Sequence, residues 1–538
     1  MSKRMIAVFA AVLFALGGMM ARLYTLANSS LQEAAGAQSK LTVTVARARG
    51  TIYDRNGTAL TNTGYQYKAA VTATPEGLSS LSSVMPEEEW TVLRDRLQSG
   101  KPTVVTFEDA VSIGKGVTLV KAPVRYGESS LAAHIIGYVG DDGIHGVSGI
   151  EKAFDEQLIA CGGEVKVTYE TDGRGQVLAG GEVTIKDTLW QTKGGVVLTL
   201  DAAIQRIVEC RGAQLLDKGA VVVMDPKNGD LLAAASFPSF SASSLATYLD
   251  AENEPLFNRF TAAYNCGSVF KIVSAAAALE AGIPLVQSYY CGGRLKVGNN
   301  TIKCHHTLGH GWQTMYGGFI QSCNPYFIRL IQTVGAEALY RLSSSLGFDS
   351  ALVLADGYTT ASGTLPSLTA LQQPTALANL SFGQGDLTAT PIHIAQMTTA
   401  AVNDGVLYPA RLVLGQMGTD GVVAENEMEA PIRLFSAQTA AQLREMMCGV
   451  VEEGNGKIAR PSVGGAGGKT GTAQTGWLAA DGNTMVQSWF TGFYPAEDPR
   501  YVITVLSEDA GSNDKQAAPV FKTICEELGR MLDKSAKG

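Results

Sequence analysis

The chain has 538 residues, a formal net charge of −8 and a hydrophobic content of 46%. This length predicts two or more domains, and the apolar content is sufficient for real hydrophobic cores. The acidic balance and the scattered placement of lysine and arginine argue against a nucleic-acid-binding protein.

The N-terminus predicts a membrane span. Lys3 and Arg4 precede an uncharged, apolar run that ends at Arg22. The run is at the short end for crossing a bilayer, and the Arg22 side chain can extend it by reaching the interface. A cleaved signal peptide is the alternative, but "LGGMMAR" contains no clear Ala-x-Ala cleavage pattern. We therefore expect a cytoplasmic tail over residues 1–4, a retained anchor over 5–24 and export of the rest of the chain.

Residues 29–195 predict a mixed, β-rich domain. Short β-like segments such as "LTVTVA" and "KAAVTAT" alternate with polar, glycine-rich loops. The stretch "RARGTIYDRNGTAL" (47–60) predicts two strands joined by a turn at Asn56-Gly57. The stretch "GVSGIEKAFDEQL" (146–158) predicts a glycine turn followed by a helix.

Residues 196–538 predict an α+β domain. Asp201 is expected to cap a helix after the strand "VVLTL", and "GAVVVMDPKNGDLLAAAS" reads as a hairpin. Three further strand-like runs come late in the chain, followed by a closing helix; these are residues 467–475, 485–495, 501–509 and 517–532. The hairpin and the late runs together predict a five-stranded antiparallel sheet packed with helices.

Ser268 and Lys271 form a candidate nucleophile–base pair. They are three residues apart at the start of the helical stretch "SVFKIVSAAAALEAG", so they share one face. The remainder of that helix is apolar, and burial would favour a neutral, basic lysine amine. The alternative is a serine N-cap and a lysine that extends to water. The pattern is weak by itself, because it recurs at Ser112–Lys115 and Ser512–Lys515.

Two further motifs follow the first in the same predicted domain. In "SCNP", the Ser322 hydroxyl can pass a proton and the Asn324 amide can hold a lysine head and a substrate amide. In "GGKTGTA", Lys469 and the hydroxyls of two threonines suit a carboxylate, and a glycine between them leaves room for substrate backbone; these residues are Thr470, Gly471 and Thr472. Backbone N–H groups at Ser268 and on this strand can hold an oxyanion. The three motifs in this order predict acyl transfer through Ser268.

The cysteines suggest one disulfide. Cys291 and Cys304 flank "GGRLKVGNNTIK", whose Gly-Asn-Asn tip is typical of a hairpin turn, so we expect these two to pair. Cys304 with His305, His306 and His310 could suggest zinc. Because the sequence offers no Cys-x-x-Cys partner, we expect no metal site.

The three motifs occur in this order in penicillin-binding proteins and class A β-lactamases. The chain resembles a class B penicillin-binding protein, a membrane-anchored peptidoglycan transpeptidase, over nearly its whole length. The resemblance extends to "RGTIYDRNG", "GVSGIEKAFDEQL", "FGQGDLTATPIHIAQ" and "WFTGFYP". It implies a penicillin-recognising serine acyltransferase domain over 196–538 and a pedestal domain of the dimerisation type over 29–195.

The resemblance also implies roles for the motif residues. Ser268 would be the acylated nucleophile and Lys271 its base, while Ser322 and Asn324 would serve the proton relay. The terminal carboxylate of the substrate would lie on Lys469, Thr470 and Thr472, and the Thr472 N–H would complete the oxyanion hole. The implied partners are peptidoglycan stem peptides, β-lactam antibiotics and an integral-membrane glycan polymerase, with no cofactor. The implied location is the bacterial cell membrane, single-pass, with the catalytic domain outside.

Three other functions stay open at this point. A D,D-carboxypeptidase would hydrolyse the same acyl-enzyme and make no cross-links. A β-lactamase would have no use for the anchor and the pedestal. A non-catalytic penicillin-binding sensor or scaffold would need a cytoplasmic signalling part, whereas only about four residues precede the predicted span.

Overall fold

The computed structural model describes residues 2–27, 39–82, 84–97, 100–109, 114–127, 130–478, 484–508 and 516–535. Their contacts divide into two compact units. The smaller comprises residues 1–50, 62–125 and 161–192, and the larger comprises 51–61, 126–160 and 193–538. The sequence placed one boundary near residue 195, whereas segments 51–61 and 126–160 group with the larger unit.

The N-terminal segment forms a single helix, Lys3–Ala27. It is 25 residues long, has a mean hydropathy of 2.1 over its most apolar stretch and buries none of that stretch. By length and composition this helix could cross a membrane.

Two three-stranded sheets make up most of the smaller unit. One joins Lys40–Ala48, Gly163–Glu170 and Val183–Asp187, and the other joins Thr103–Phe107, Gly64–Val71 and Val117–Val124. Helices Pro75–Ser82 and Glu87–Leu97 bury leucines against the second sheet. The unit is β-rich, as the sequence predicts.

A five-stranded antiparallel sheet forms the centre of the larger unit, which confirms the predicted fold class. Its strands, in spatial order, are Leu231–Phe237, Gly219–Met224, Tyr501–Ser507, Thr484–Tyr494 and Gly467–Leu478. The hairpin and the three late strands thus come together from distant parts of the chain. We call Gly467–Leu478 the edge strand, because it pairs within this sheet only with Thr484–Tyr494.

Helices cover both faces of this sheet. Successive side chains of a strand point to opposite faces. Val221 and Val223 therefore pack with helices Ala202–Leu215 and Ala517–Ser535, whereas Val222 joins the cluster that holds the other helices. The main helices of that second cluster are Lys271–Glu280, Asn324–Val334, Ala336–Ser345, Pro391–Val402 and Ala437–Glu452. The Asp201 side chain caps the N-terminus of helix Ala202–Leu215, as predicted.

Shorter elements complete the larger unit. The helices are Ala133–Ile136, Gly149–Ala153, Asp155–Ala160, Met315–Ile320 and Pro374–Leu380. The 3-10 segments are Leu189–Lys193, Ala242–Tyr248, Gly267–Phe270, Ala370–Gln372 and Lys457–Ala459. Ala242–Tyr248 is interrupted by a kink at Ser244, and residues of Leu189–Lys193 belong to both units. The strands are Thr51–Tyr53, Gly195–Leu198, Tyr264–Asn265, Tyr289–Cys291, Arg294–Val297, Asn300–Lys303, Gly311–Gln313, Val353–Ala355, Tyr358–Thr359, Thr388–Ala389, Val406–Leu407, Val413–Met417, Val423–Glu425 and Ile432–Arg433.

The "RGTIYDRNG" stretch contacts the N-terminus of helix Ala202–Leu215. The Asp54 carboxylate accepts from the Ala202 N–H, and Arg55 pairs with the buried Asp230 at 3.4 Å. The predicted second strand after the Asn56-Gly57 turn is reduced to one bridge between Tyr53 and Ala59.

Candidate active site

Ser268 lies in the turn Gly267–Phe270, which we call the nucleophile turn, directly before helix Lys271–Glu280. Gly267 has a φ of +60°, a conformation that favours glycine. Its N–H donates to the Gly383 carbonyl at 2.9 Å. The sequence predicted a helix that starts near Ser268; in the structure the first turn is 3-10 and the α-helix starts at Lys271. The Ser268 side chain caps neither element, so the N-cap alternative is wrong.

Lys271 lies buried at the centre of the site. Its Nζ donates to Ser268 Oγ at 3.0 Å, to the Ser322 carbonyl at 2.8 Å and to Asn324 Oδ1 at 2.7 Å. The residue has no exposed surface, so the alternative of a lysine that extends to water is also wrong. Burial disfavours the charged form and lowers the pKa of Lys271 to about 7. A large neutral fraction of this amine is therefore present at neutral pH.

The turn that carries Ser322 and Asn324 faces both lysines. Ser322 has a φ of +52°, which is unusual for a residue with a side chain, and Asn324 begins helix Asn324–Val334. Ser322 Oγ lies 3.1 Å from Lys271 Nζ and accepts from Lys469 Nζ at 3.0 Å. One hydroxyl thus connects the two amines.

Lys469 is the third residue of the edge strand, and it is buried too. Burial is the main cause that lowers its pKa well below the usual range, and the nearby Lys271 charge adds to the shift. Its Nζ also donates to the Thr470 carbonyl at 3.1 Å. Thr470 and Thr472 are partly exposed on the same strand, so their side chains are accessible to a ligand.

Gly471 allows the edge strand to lie against the nucleophile turn. A Cβ atom there would be 2.9 Å from Val269 Cγ1 and 3.0 Å from the Cys266 carbonyl oxygen. Such distances are too short for a real side chain. The sequence predicted that this glycine makes room for substrate backbone, which stays a prediction; in the structure the glycine makes room for the turn that carries Ser268.

The structure therefore brings together all eight predicted site residues. The Ser-x-x-Lys pattern also occurs at Ser112–Lys115 and Ser512–Lys515. Ser112 and both residues of the second pair lie outside the described residues. Sequence reasoning missed Asn455, whose Oδ1 accepts from Thr470 Oγ1 at 3.2 Å, and Gln384, whose amide donates to the Thr472 carbonyl at 3.4 Å. Asn455 lies in no motif; Gln384 lies within "FGQGDLTATPIHIAQ", where its partner could not be read from spacing.

The expected disulfide is wrong, because Cys291 and Cys304 are both free thiols. The hairpin between them does form, from Arg294–Val297 and Asn300–Lys303. The expectation of no metal site was based on the absence of a Cys-x-x-Cys pair, and the fold brings metal-binding side chains together without one. Cys323, the middle residue of the Ser322–Asn324 motif, lies beside Cys291, Cys304 and His310.

Comparison with known proteins places the chain in a family. Residues 219–526 match the model of the penicillin binding protein transpeptidase domain, and the chain belongs to this family. It is 30% identical over 413 residues to stage V sporulation protein D of Bacillus subtilis, covering 73% of this chain and 61% of that protein. The chain thus spans less than two thirds of that relative.

Two other similarities cover more of the chain. It is 26% identical over 546 residues to the peptidoglycan D,D-transpeptidase MrdA of Acinetobacter baumannii, covering 88% of this chain and 80% of that protein. The crystal structure of penicillin binding protein 3 from Mycobacterium tuberculosis in complex with aztreonam matches with a TM-score of 0.66 and 26% identity. This match covers 92% of this chain and 97% of that one.

Proposed function

We propose that the protein is a peptidoglycan D,D-transpeptidase that works through a Ser268 acyl-enzyme. The observation that carries the proposal is the 3.0 Å contact between Ser268 Oγ and the buried Lys271 Nζ, whose pKa of about 7 leaves it able to accept a proton. A base of this kind beside a hydroxyl is what nucleophilic catalysis requires. The chain belongs to the transpeptidase family, and it is similar to MrdA, which is named a peptidoglycan D,D-transpeptidase; both facts support the same reaction.

In the acylation step, Ser268 Oγ attacks the carbonyl carbon of the penultimate D-alanine of a stem peptide. Lys271 takes the hydroxyl proton, and the backbone N–H groups of Ser268 and Thr472 stabilise the oxyanion. The C–N bond to the terminal D-alanine then breaks. Its amine receives a proton through Ser322 Oγ, which lies 3.1 Å from Lys271 Nζ. D-Alanine leaves, and the peptide remains on Ser268 as an ester.

In the second step, an amine from a neighbouring stem peptide attacks the ester. The new amide bond forms, the ester bond breaks, and Ser268 Oγ regains a proton from the attacking amine through Lys271. Asn324 holds the Lys271 head at 2.7 Å through both steps, which keeps the amine aligned with Ser268.

The terminal carboxylate of the donor peptide binds at Lys469, Thr470 and Thr472. The bound carboxylate supplies a counter-charge for Lys469, whose burial otherwise disfavours its charged form. A β-lactam presents a carboxylate next to a strained amide, so it occupies the same place and acylates Ser268. These compounds are therefore expected inhibitors.

We further propose that residues 5–24, within helix Lys3–Ala27, are a retained anchor, that residues 1–4 are cytoplasmic and that the chain after the anchor lies outside the cell. Lys3 and Arg4 before the apolar run favour this orientation. We also propose that residues 29–195 form the pedestal and that residues 196–538 form the transpeptidase domain. Because cross-linking uses newly made glycan strands, we propose an integral-membrane glycan polymerase as partner.

A donor peptide ending in D-Ala–D-Ala, mixed with a D-amino acid acceptor, tests the reaction. Mass spectrometry of the products should show the acceptor in place of the terminal D-alanine, and Ser268→Ala should abolish this exchange. A hydrolysed peptide with no transfer product would identify a carboxypeptidase instead. An unchanged peptide, with penicillin labelling intact, would identify a sensor or scaffold.

A further inference from the structure

Four side chains with metal-binding atoms converge next to the active site. They are Cys291, Cys304, His310 and Cys323, and all four ligand atoms lie within 4.8 Å of one another. The three cysteines are at most 3% exposed. Cys291, Cys304 and His310 lie in one segment of short strands, and Cys323 follows it after helix Met315–Ile320, so their convergence results from the fold and not from a local sequence repeat.

The spacing of these atoms fits one tetrahedral ion. Zinc bonds of about 2.3 Å to sulfur and 2.0 Å to nitrogen separate a sulfur from a nitrogen ligand by about 3.5 Å. The observed distances from His310 Nδ1 are 3.6 Å to Cys291 Sγ and 3.4 Å to Cys304 Sγ. Cys323 Sγ lies within 4.8 Å of each of the other three ligand atoms. One imidazole N–H cannot donate a good hydrogen bond to two sulfur atoms at once, whereas a single metal ion can coordinate all four ligand atoms.

Three of the ligands lie in one segment of short strands, residues 289–313, which we call the insertion. Cys291 pairs with Gly311 across two short strands, which places it beside His310. Cys304 N–H donates to the Gly293 carbonyl at 2.9 Å, directly after the hairpin Arg294–Lys303. These strands have only three or four residues each, and strand pairs this short are marginal in water. A metal ion would supply the missing stability.

The fourth ligand connects the insertion to the catalytic machinery. Cys323 lies between Ser322 and Asn324, and Asn324 Nδ2 also donates to the Lys303 carbonyl of the insertion at 3.4 Å. Ser322 holds a φ of +52°. A bond from Cys323 to a metal would fix this turn and hold both neighbouring side chains toward Lys271.

We propose that Cys291, Cys304, His310 and Cys323 bind one Zn²⁺ in a closed structural site that positions Ser322 and Asn324. Three cysteines and one histidine are a common ligand set of structural zinc. Binding forms three Zn–S bonds and one Zn–N bond, and the thiol protons leave to solvent. Metal binding is independent of the proposed function, whereas its effect on acylation rests on that function.

Metal analysis of the full-length protein, purified in detergent without chelator, tests the site. We expect about one zinc per chain in the wild type and in Ser268→Ala, so that loss of catalysis leaves this result intact. Cys323→Ser and His310→Ala should lose zinc, whereas the matched controls Cys525→Ser and His306→Ala should keep it. Cys525 is equally buried but distant in the fold, and His306 is an exposed neighbour.

Cobalt exchange on the wild-type protein gives a readout that needs no variant. Co²⁺ in this site should show thiolate-to-metal charge-transfer bands and the intense visible bands of a tetrahedral complex. Protein containing iron instead of zinc, or a Cys291–Cys304 disulfide in protein from its native envelope, would overturn the proposal. Absence of zinc from the wild type, with no cobalt bands, would also overturn it.

Removal of the zinc tests the positioning role. Chelated protein should acylate with penicillin at least tenfold more slowly, and re-addition of zinc should restore the rate. If zinc is bound but its removal leaves the acylation rate unchanged, the positioning role is refuted. Zinc would then act only in the folding of the insertion.

Discussion

The amines of Lys271 and Lys469 meet at one hydroxyl, since Ser322 Oγ lies 3.1 Å from the first and 3.0 Å from the second. Both lysines are fully buried. Two buried cations this close repel each other, so at least one amine is favoured in its neutral form. The site thereby keeps a neutral amine available as a base next to Ser268, and an incoming carboxylate would supply the counter-charge that favours the charged form of Lys469.

The acylation rate should follow the protonation of Lys271. The pKa of this amine is lowered to about 7, and only its neutral form can accept the Ser268 proton. The second-order rate constant for penicillin acylation should therefore rise by about tenfold per pH unit below pH 7 and level off above it. Stopped-flow measurement between about pH 5 and 9 checks this profile. A rate that stays constant across the acidic range would show that Lys271 is not the base.

Gly471→Ala should separate the edge strand from the nucleophile turn. The new methyl group would lie 2.9 Å from Val269 Cγ1 and 3.0 Å from Trp489 Cβ. We expect a loss of about 1–3 kcal/mol in the free energy of unfolding and a lower acylation rate. Gly173→Ala is the matched control, because a Cβ there meets nothing within 4 Å. Wild-type stability and acylation in Gly471→Ala would contradict this account of the strand.

Asn455→Ala should weaken capture of the ligand carboxylate and leave the chemical step nearly unchanged. Asn455 orients the Thr470 hydroxyl at 3.2 Å and touches neither Ser268 nor Lys271 in the described contacts. Loss of one such hydrogen bond should raise the apparent dissociation constant for penicillin by about threefold to tenfold. Stopped-flow kinetics separate this constant from the acylation rate constant. The exposed Asn426→Ala serves as control, and an equal effect in both variants would remove Asn455 from the site.

The anchor should be needed for the partner and not for the chemistry. Replacement of residues 1–28 by a cleavable signal should leave penicillin acylation unchanged and abolish co-purification with a membrane glycan polymerase. If co-purification survives this replacement, and also survives mutations in residues 29–195, the proposed partnership is wrong.

The sequence predicted the parts of the site that depend on local spacing. Ser268 and Lys271 lie one helical turn apart, and "SCNP" and "GGKTGTA" each keep their functional residues within a few positions. The five strands were also predictable. Gly219–Met224, Thr484–Tyr494 and Tyr501–Ser507 are rich in β-branched and aromatic residues. The remaining two were predicted from the hairpin turn at Pro226–Gly229 and from the position of the Lys-Thr-Gly motif. These features need no knowledge of distant contacts.

Other features depend on long-range packing and could not be predicted. Asn455 reaches Thr470 only after the chain has folded, and nothing around Asn455 indicates a site. The cysteine cluster was missed because its fourth ligand, Cys323, is hidden at the variable position of the Ser-x-Asn motif. Cys291 and Cys304 therefore suggested a disulfide across a hairpin, and His310 was considered only together with Cys304 and its neighbouring histidines.

The most direct measurement of the central claim is the position of a covalent penicillin adduct. Peptide mass mapping after exposure to a labelled penicillin should place the adduct on Ser268 and not on peptides bearing Ser112 or Ser512. Ser268→Ala should abolish the adduct, Lys271→Ala should slow its formation by about a hundredfold or more, and Lys469→Ala should chiefly weaken capture. A covalent label that persists in Ser268→Ala, or that never forms in the intact protein, would contradict the account.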